Sequence, residues 1–469
     1  MVTALASGLV ERSPLSFPLI FLGLGLALGE GGIGVVEIGL DDDILEIVAT
    51  LTLSLVLFLD AVQLQIDELG RRWVVPALVL GPGTGMIIAL GAVPLALMLG
   101  LDWKLAFIGG AVLASTDPVV LRGIVRDERI PRSVRQILKI EAGMNDIVVL
   151  PVVLILIAVA QSATSGAGEW AGFLFKLLLL GPAIGFAVGG AGSWLMTRVD
   201  SVASVRREYQ SLYGLGLVFA SYAAGTAVGG DGFLAAFAGG LAVVLLNNQL
   251  CDCFLELGEV TSETAMLLCF VLFGSALSAG LSAVSIGPAL ALAALVVFAI
   301  RPPVLGLVLA KARMSWEAHA FVSWFGPRGL NSLLLVLLVV QAGVAESEVL
   351  FAAVGVVVLA SVAIHGATAV PATAWYGRKA QSETLSEERE STAAGLFSSD
   401  ESDVSYVTTE ELVARLAGPA PPIVLDVRSR SDYDRDRFRI PGSVRVLPDQ
   451  VPEWADDRPR DRSIVAYCS

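Results

Sequence analysis

A handful of ionisable residues lie inside long apolar stretches of this 469-residue chain: Asp60, Asp117, Glu141 with Asp146, Arg301 and Arg328. A charged side chain at the centre of a bilayer costs roughly 2.5–3.5 kcal/mol on insertion scales, so each needs a partner or a task. Two kinds of chemistry are open to them. One is mutual ion pairing; the other is reversible binding of a proton or a small cation. A carboxylate removed from water holds its proton toward neutral pH, whereas a cation on the same oxygens favours the ionised form. The two ligands therefore compete. If a loaded site changes sides more easily than an empty, charged one, competition becomes coupled exchange. Only two histidines exist, His319 and His365, so proton chemistry rests mainly on carboxylates.

Local sequence sharpens this. Ala114-Ser115-Thr116-Asp117-Pro118 places hydroxyls, a carboxylate and a helix breaker in mid-segment. Pro118 removes a backbone donor and strains the preceding turn. Freed carbonyls and Thr116 then become available to a small hard cation, while Asp117 offsets the half-helix dipole ends. In the next segment, at 100° per residue, Glu141 and Asn145 share one helix face and Asp146 sits one residue further round. Phe325-Gly326-Pro327-Arg328-Gly329 predicts an unwound helix, tolerated at membrane depth only beside protein or a water-filled cavity. Two interrupted segments far apart in sequence are the expected sign of a transporter built from inverted repeats with a midplane site. Arg301, just before Pro302-Pro303, is expected to be paired or bonded to carbonyls freed by the prolines.

The elements that must carry these groups follow from composition. Hydrophobic residues make up 55% of the chain and charged ones 16%, with a mean hydropathy of +0.74. About 12% of residues 1–376 are charged against about 33% of 377–469. An apolar body with a soluble tail is implied, and a water-soluble enzyme is excluded for the body. The net charge of −14, without a basic run, argues against a nucleic-acid partner. Four cysteines form no disulfide framework, and the lone Cys251/Cys253 pair reads as incidental. Runs that meet or approach the roughly 20 apolar residues needed for spanning lie near 15–30, 44–66, 74–100, 105–122, 134–160, 170–198, 208–229, 232–248, 263–281, 286–310, 317–342 and 349–376. Met1–Arg12 reads as the stub of a thirteenth helix. Alternate loops hold the basic residues, including Arg71, Arg72, Arg122, Arg126 and Lys311, which places them and the tail in the cytoplasm. One loop, 249–262, dissents with Asp252, Glu256 and Glu259.

The ordered set Thr116-Asp117-Pro118, Glu141 with Asn145-Asp146, and Gly326-Pro327-Arg328-Gly329 resembles the NhaP-type sodium/proton antiporters of the monovalent cation:proton antiporter-1 family. Leu57-Phe58-Leu59-Asp60, Gly232-Phe233-Leu234-Ala235, Arg301-Pro302 and Ile364-His365-Gly366 add to the match over residues 1–377. The resemblance implies an all-α polytopic fold of 12–13 transmembrane helices with inverted repeats and two interrupted helices. It also implies a homodimer in the cell membrane, with a six-helix core moving against a dimerisation domain. Asp146 would bind sodium (or lithium) or a proton, never both. Asn145, in place of the first Asp of electrogenic relatives, implies electroneutral exchange of one cation for one proton. Thr116 and Asp117 would complete the ion site, Glu141 would bond Asn145 and Arg328, and Asp60 matches an acidic position of the third helix. No cofactor is expected. The alternatives are a potassium/proton antiporter of the same fold and a passive ion channel with a sensory tail.

Residues 378–404 read as a flexible acidic linker. From 405 to 469 a capped helix start (Thr408 to Leu412), a strand (423–428), a turn (440–443) and a second strand (463–468) resemble the N-terminal half of a rhodanese-like α/β domain. Cys468 matches that family's persulfide cysteine, although Arg439 stands where the family often has His. With only Ser469 after Cys468, no loop cradles the thiolate, and an inactive module is expected.

Overall fold

The computed structural model describes residues 16–64, 77–161, 166–389, 407–418, 421–436, 438–456 and 462–468. The N-terminal stub, Arg71, Arg72 and residues 390–406 lie outside them. Each expected apolar stretch has a helical counterpart. In chain order these are α1 (Phe17–Leu28), α2 (Asp43–Val62), α3 (Val79–Leu99), α4 (Trp103–Ala114) with α5 (Pro118–Val125), α6 (Arg132–Ala160), α7 (Ala167–Ala203) and α8 (Arg207–Ala227). There follow α9 (Gly232–Leu246), α10 (Asn248–Gly280), α11 (Ile286–Val308), α12 (Trp316–Trp324) with α13 (Leu330–Gln341), and α14 (Ser347–Ser382). By length and composition, 8 of the spans suffice to cross a membrane, and α1, α9 and α13 are shorter apolar helices.

Local chemistry sets the ends and the bends. Asp42, Asp102 and Asp231 cap α2, α4 and α9 by accepting from the first free N–H groups of each helix. Gly100 closes α3 in the left-handed conformation at φ 71°. Three helices pass through π turns, at Val79–Gly83, Lys176–Leu180 and Leu295–Ile300. Each turn contains or shortly precedes a proline, whose missing donor breaks the four-residue hydrogen-bond register. Gly181, Gly185 and Gly189 of α7 let its backbone lie directly on that of Asp231, Ala235 and Gly239 in α9.

The helices sort into two bundles. α3 to α6 pack with α11 to α14, while α1, α2 and α7 to α10 pack mainly among themselves. Within the first bundle the pattern of helix, broken helix, helix occurs twice, as α3, α4/α5, α6 and as α11, α12/α13, α14.

Two expectations are corrected. The stretch 249–262 is no loop: α10 runs for 33 residues from Asn248, with the Asn247 side chain capping Leu250 N–H. Its acidic residues break the apolar run that marks a span, and arginines neutralise two of that helix's carboxylates. Glu263 meets Arg122 at 3.0 Å, and Glu259 meets Arg126 at 3.7 Å. The second correction concerns the start of the linker. α14 continues to Ser382, and a 3-10 turn at Ser386–Arg389 buries Glu387 and Glu388 completely.

In the tail, Thr408 and Glu411 form the expected reciprocal cap on α15 (Thr409–Leu416). Strands β1 (Ile423–Asp426), β2 (Val444–Arg445) and β3 (Ile464–Tyr467) form a parallel sheet of order β2-β1-β3. Helices α16 (Arg430–Arg435) and α17 (Val451–Asp456), with a 3-10 turn at Pro448–Gln450, complete the described part. β1 is the central strand and ends in an ion pair. Burial pushes the Asp426 carboxyl up, but the Arg428 guanidinium, at 2.7 and 2.9 Å, outweighs it and holds the group at about 2. A carboxyl depressed below its unfolded value stabilises the fold above that value and loses the effect as pH falls. The sheet should therefore lose stability, on the order of 1 kcal/mol after solvent screening, as pH falls from about 4 to about 2. The protection of β1 and β3 amides, taken relative to their intrinsic exchange rate at each pH, should fall across that interval in the wild type and stay flat in Asp426→Asn.

Candidate functional site

The two broken helices meet at their breaks. Asp117 N–H donates to Pro327 O at 2.9 Å, so the α4/α5 gap lies directly on the α12/α13 gap. The Asp117 carboxylate caps two helices at once, accepting from Val119 N–H of α5 and from Leu330 N–H of α13, each at 2.8 Å. Arg328 answers at the opposite pole. Its Nη1 donates to the carbonyls of Ala114 (3.3 Å) and Ser115 (3.2 Å) at the C-terminal end of α4. Negative charge thus faces helix N-termini and positive charge a C-terminus, the arrangement that half-helix dipoles favour. Gly329 is required here, because a Cβ would fall within the Asp117 carboxylate. Ser361 of α14 accepts from Arg328 N–H at 2.8 Å, and His365 one turn on reaches Trp324 O at 3.1 Å.

Asp146 of α6 sits against this crossing, 3% exposed. Its Oδ1 accepts from the Ser115 hydroxyl at 2.6 Å, and its Oδ2 accepts from the Asn331 amide. Asn145 donates to Ala114 O at 2.9 Å and to Thr116 Oγ1 at 3.4 Å. Among the described residues, Asn145 Oδ1 and Asn331 Oδ1 are buried without a hydrogen-bond partner. A buried acceptor left unmet carries a desolvation penalty, which a cation in contact with these oxygens would relieve. The assembled donors are a carboxylate, two amide oxygens and two hydroxyls, a hard set suited to a small metal cation.

Glu141 departs from the implied pairing. Its carboxylate is held by Arg301 of α11, through Nε at 3.1 Å and Nη2 at 2.7 and 2.9 Å. Arg301 also donates to Val322 O and Ser323 O near the end of α12. The physical reason is access. Gly326 leaves room that the Arg301 guanidinium fills, while Arg328 is drawn to the free carbonyls of α4. Asp60 makes no hydrogen bond to Asp146 or Asp117, but it lies near enough for its charge to act on both. It lines a cavity of about 960 Å³ with Pro118, Arg122, Gly143 and Met144, and its Oδ2 is unpartnered there. Cys468 is exposed in the tail.

Six expected residues therefore converge: Thr116, Asp117, Glu141, Asn145, Asp146 and Arg328. Three more were not singled out for the site from sequence, namely Ser115, Asn331 and Arg301 as the partner of Glu141. Asn331 left one legible trace, an amide in the first turn of a mostly apolar helix two residues after Gly329.

Comparison with known proteins gives the family and the fold. Residues 1–375 match the family model described as "Sodium/hydrogen exchanger, transmembrane", and residues 408–469 match that of the rhodanese-like domain. The chain is 25% identical over 380 residues to a K(+)/H(+) antiporter NhaP of Alkalimonas amylolytica, covering 80% of this chain and 65% of that relative. The chain thus spans just under two thirds of that relative's length. The tail is 37% identical over 73 residues to a dual specificity phosphatase, ibp1, of Schizosaccharomyces pombe, covering 14% of this chain and 51% of that protein. The fold superposes on the sodium proton antiporter MjNhaP1 of Methanocaldococcus jannaschii with a TM-score of 0.64 and 17% identity, covering 80% of this chain and 94% of the other.

Proposed function

The chain belongs to the sodium/hydrogen exchanger family of transmembrane proteins, and on that premise we propose that it exchanges a monovalent cation, sodium in our reading, for a proton at Asp146. One observation carries the reading. Where two broken helices cross, the buried Asp117 carboxylate is taken up by two helix N–H groups, while the buried Asp146 carboxylate lies beside amide oxygens that, among the described residues, lack partners. Asp146 holds either the proton or the cation and is neutralised in both cases, while the Asp117 charge is offset by Arg328 at the same crossing. The empty site is charged and costly to move through an apolar surround. Asn145 adds no second charge, so one cation leaves for each proton that enters. Asn145 and Asn331 turn their free oxygens to the cation, with Ser115 and Thr116 completing the shell. Asp117, already engaged by two N–H groups, positions the two half-helices. Glu141 and Arg301 lock α6 to α11 and α12, and the bundle of α3 to α6 and α11 to α14 moves as a unit against the other.

The cavity bearing Asp60 is the cytoplasmic entrance in this reading, because Arg122, Arg126 and Lys139 line it. The protein works in the cell membrane with its tail in the cytoplasm, as a homodimer through the second bundle. Cross-linking in native membranes checks that assembly.

A second reading has its own support: the Alkalimonas relative is named for potassium. The test uses purified chain in liposomes clamped at zero membrane potential, pulsed in turn with sodium, lithium and potassium. Sodium and lithium should move protons across the membrane. A response to potassium alone selects the second reading. No proton movement with any of the three ions overturns exchange altogether.

A further inference from the structure

The tail is seated on the body, and its seat lies at the ends of α6 and α12, helices that form the ion site, on the side that the exchange reading places in the cytoplasm. Asp449, fully buried, accepts from Arg132 N–H at 2.8 Å, at the first residue of α6. A carboxylate there is favoured by the helix N-terminus. Arg430 reaches the body on two sides. It donates to Glu128 O at 2.9 Å in the turn before α6, and pairs with buried Glu388 at 2.9 Å. The turn that carries Glu388 is itself stitched to both halves of the bundle. The Glu387 carboxylate accepts from Ser315 N–H and Oγ, the cap of α12, and from the Tyr376 hydroxyl of α14. Its carbonyl accepts from Ser133 Oγ of α6 at 3.1 Å.

The module therefore grips α6, which carries Asp146, and the connector it locks grips α12, which leads into the break that carries Arg328. Arg132 to Asp146 is a rigid helix of roughly 21 Å at 1.5 Å per residue. A tilt at its seated end alters where Asp146 stands against Asn331.

We propose that the rhodanese-like module is a brace for the transport site: seated through Asp449 and Arg430, it holds α6 in register with α12 and so sets the apparent affinity for the transported cation. This rests on the exchange reading above. Asp449 and Arg430 are positioning residues, since neither touches the ion site.

The experiment uses the full chain in liposomes, with Arg430→Ala, Asp449→Asn and Arg430→Lys, sodium as the probe, and amide exchange over residues 128–135 as the reporter of seating. In the first two variants, exchange over 128–135 should accelerate. The sodium concentration for half-maximal rate should rise at least about fivefold, the maximal rate staying within about twofold. Arg430→Lys, which keeps the charge, should recover most of the affinity. Loss of folded protein would instead lower the maximal rate alone, and that pattern overturns the brace. Accelerated amide exchange with unaltered affinity, or with tighter affinity, overturns it as well. Unaltered amide exchange overturns the seat itself. A wild-type chain that moves no protons sinks the exchange reading, while the amide-exchange arm still decides the seat.

Discussion

Asp146→Asn is expected to bring cation-driven proton movement down to the level of empty liposomes. The substitution is close to isosteric. An amide in this position can still accept from the Ser115 hydroxyl, now at 2.6 Å from Oδ1, so the crossing of the two breaks should persist. What disappears is the ability to ionise. A permanently neutral side chain neither releases a proton to the cavity nor offsets the charge of a bound cation, so the competition behind exchange has no substrate. The control is Asp60→Asn. Asp60 lines the cavity wall within electrostatic reach of Asp146 but without a hydrogen bond to it, so its loss should change the rate and the apparent cation affinity while leaving coupling intact. Both variants are measured by sodium-pulse acidification or alkalinisation of liposomes, with the amount of folded protein checked by size-exclusion profile. Wild-type exchange in Asp146→Asn would remove this residue from the mechanism. Complete loss in Asp60→Asn would move the site into the cavity.

The second large effect concerns folding. Arg301→Ala leaves the Glu141 carboxylate buried, its side chain only 5% exposed, with its guanidinium partner gone. Breaking a buried pair from one side costs about 3–5 kcal/mol, because the remaining charge is neither solvated nor paired. The loss also frees Val322 O and Ser323 O, which Arg301 bonds near the end of α12. Thermal unfolding in detergent should show Arg301→Ala as much the less stable chain. The double variant Arg301→Ala/Glu141→Gln should regain part of the difference, since its buried group is no longer charged. Arg328→Ala should behave otherwise. It exposes carbonyls of α4 without stranding Glu141, so adding Glu141→Gln to it should give no recovery. Equal recovery in both backgrounds would refute the pairing of Glu141 with Arg301.

Much of this architecture was legible in the chain. A side chain that is charged where twenty neighbours are apolar must have an energetic reason, and this alone singled out Asp117, Glu141, Asp146, Arg301 and Arg328. Glycine and proline at membrane depth marked both breaks, because no other residues interrupt a helix so reliably. The misreadings share a different cause. Hydropathy reads residues 249–262 as a loop because acidic groups break the apolar run, yet Glu259 and, just beyond, Glu263 are neutralised by arginines from a segment more than a hundred residues earlier. Residues 378–389 looked like solvated linker, yet Glu387 finds its partners in Ser315 and Tyr376. Hydropathy scores a charge as though it faced water, and the partner that removes this cost is invisible along the chain.

The sequence by itself determined which groups were available, where the two broken helices interrupt and which stretches were apolar. Each of these follows from local terms: transfer cost, backbone donors lost at proline, and loop charge. Tertiary structure alone decided which charge answers which. Glu141 went to Arg301 rather than Arg328 because Gly326 leaves a space the guanidinium fills, and because the open end of α4 attracts Arg328. It likewise turned a soluble tail into a part seated on α6, since the N–H of Arg132 and the carboxylate of Asp449 are 317 residues apart and meet only in the folded chain.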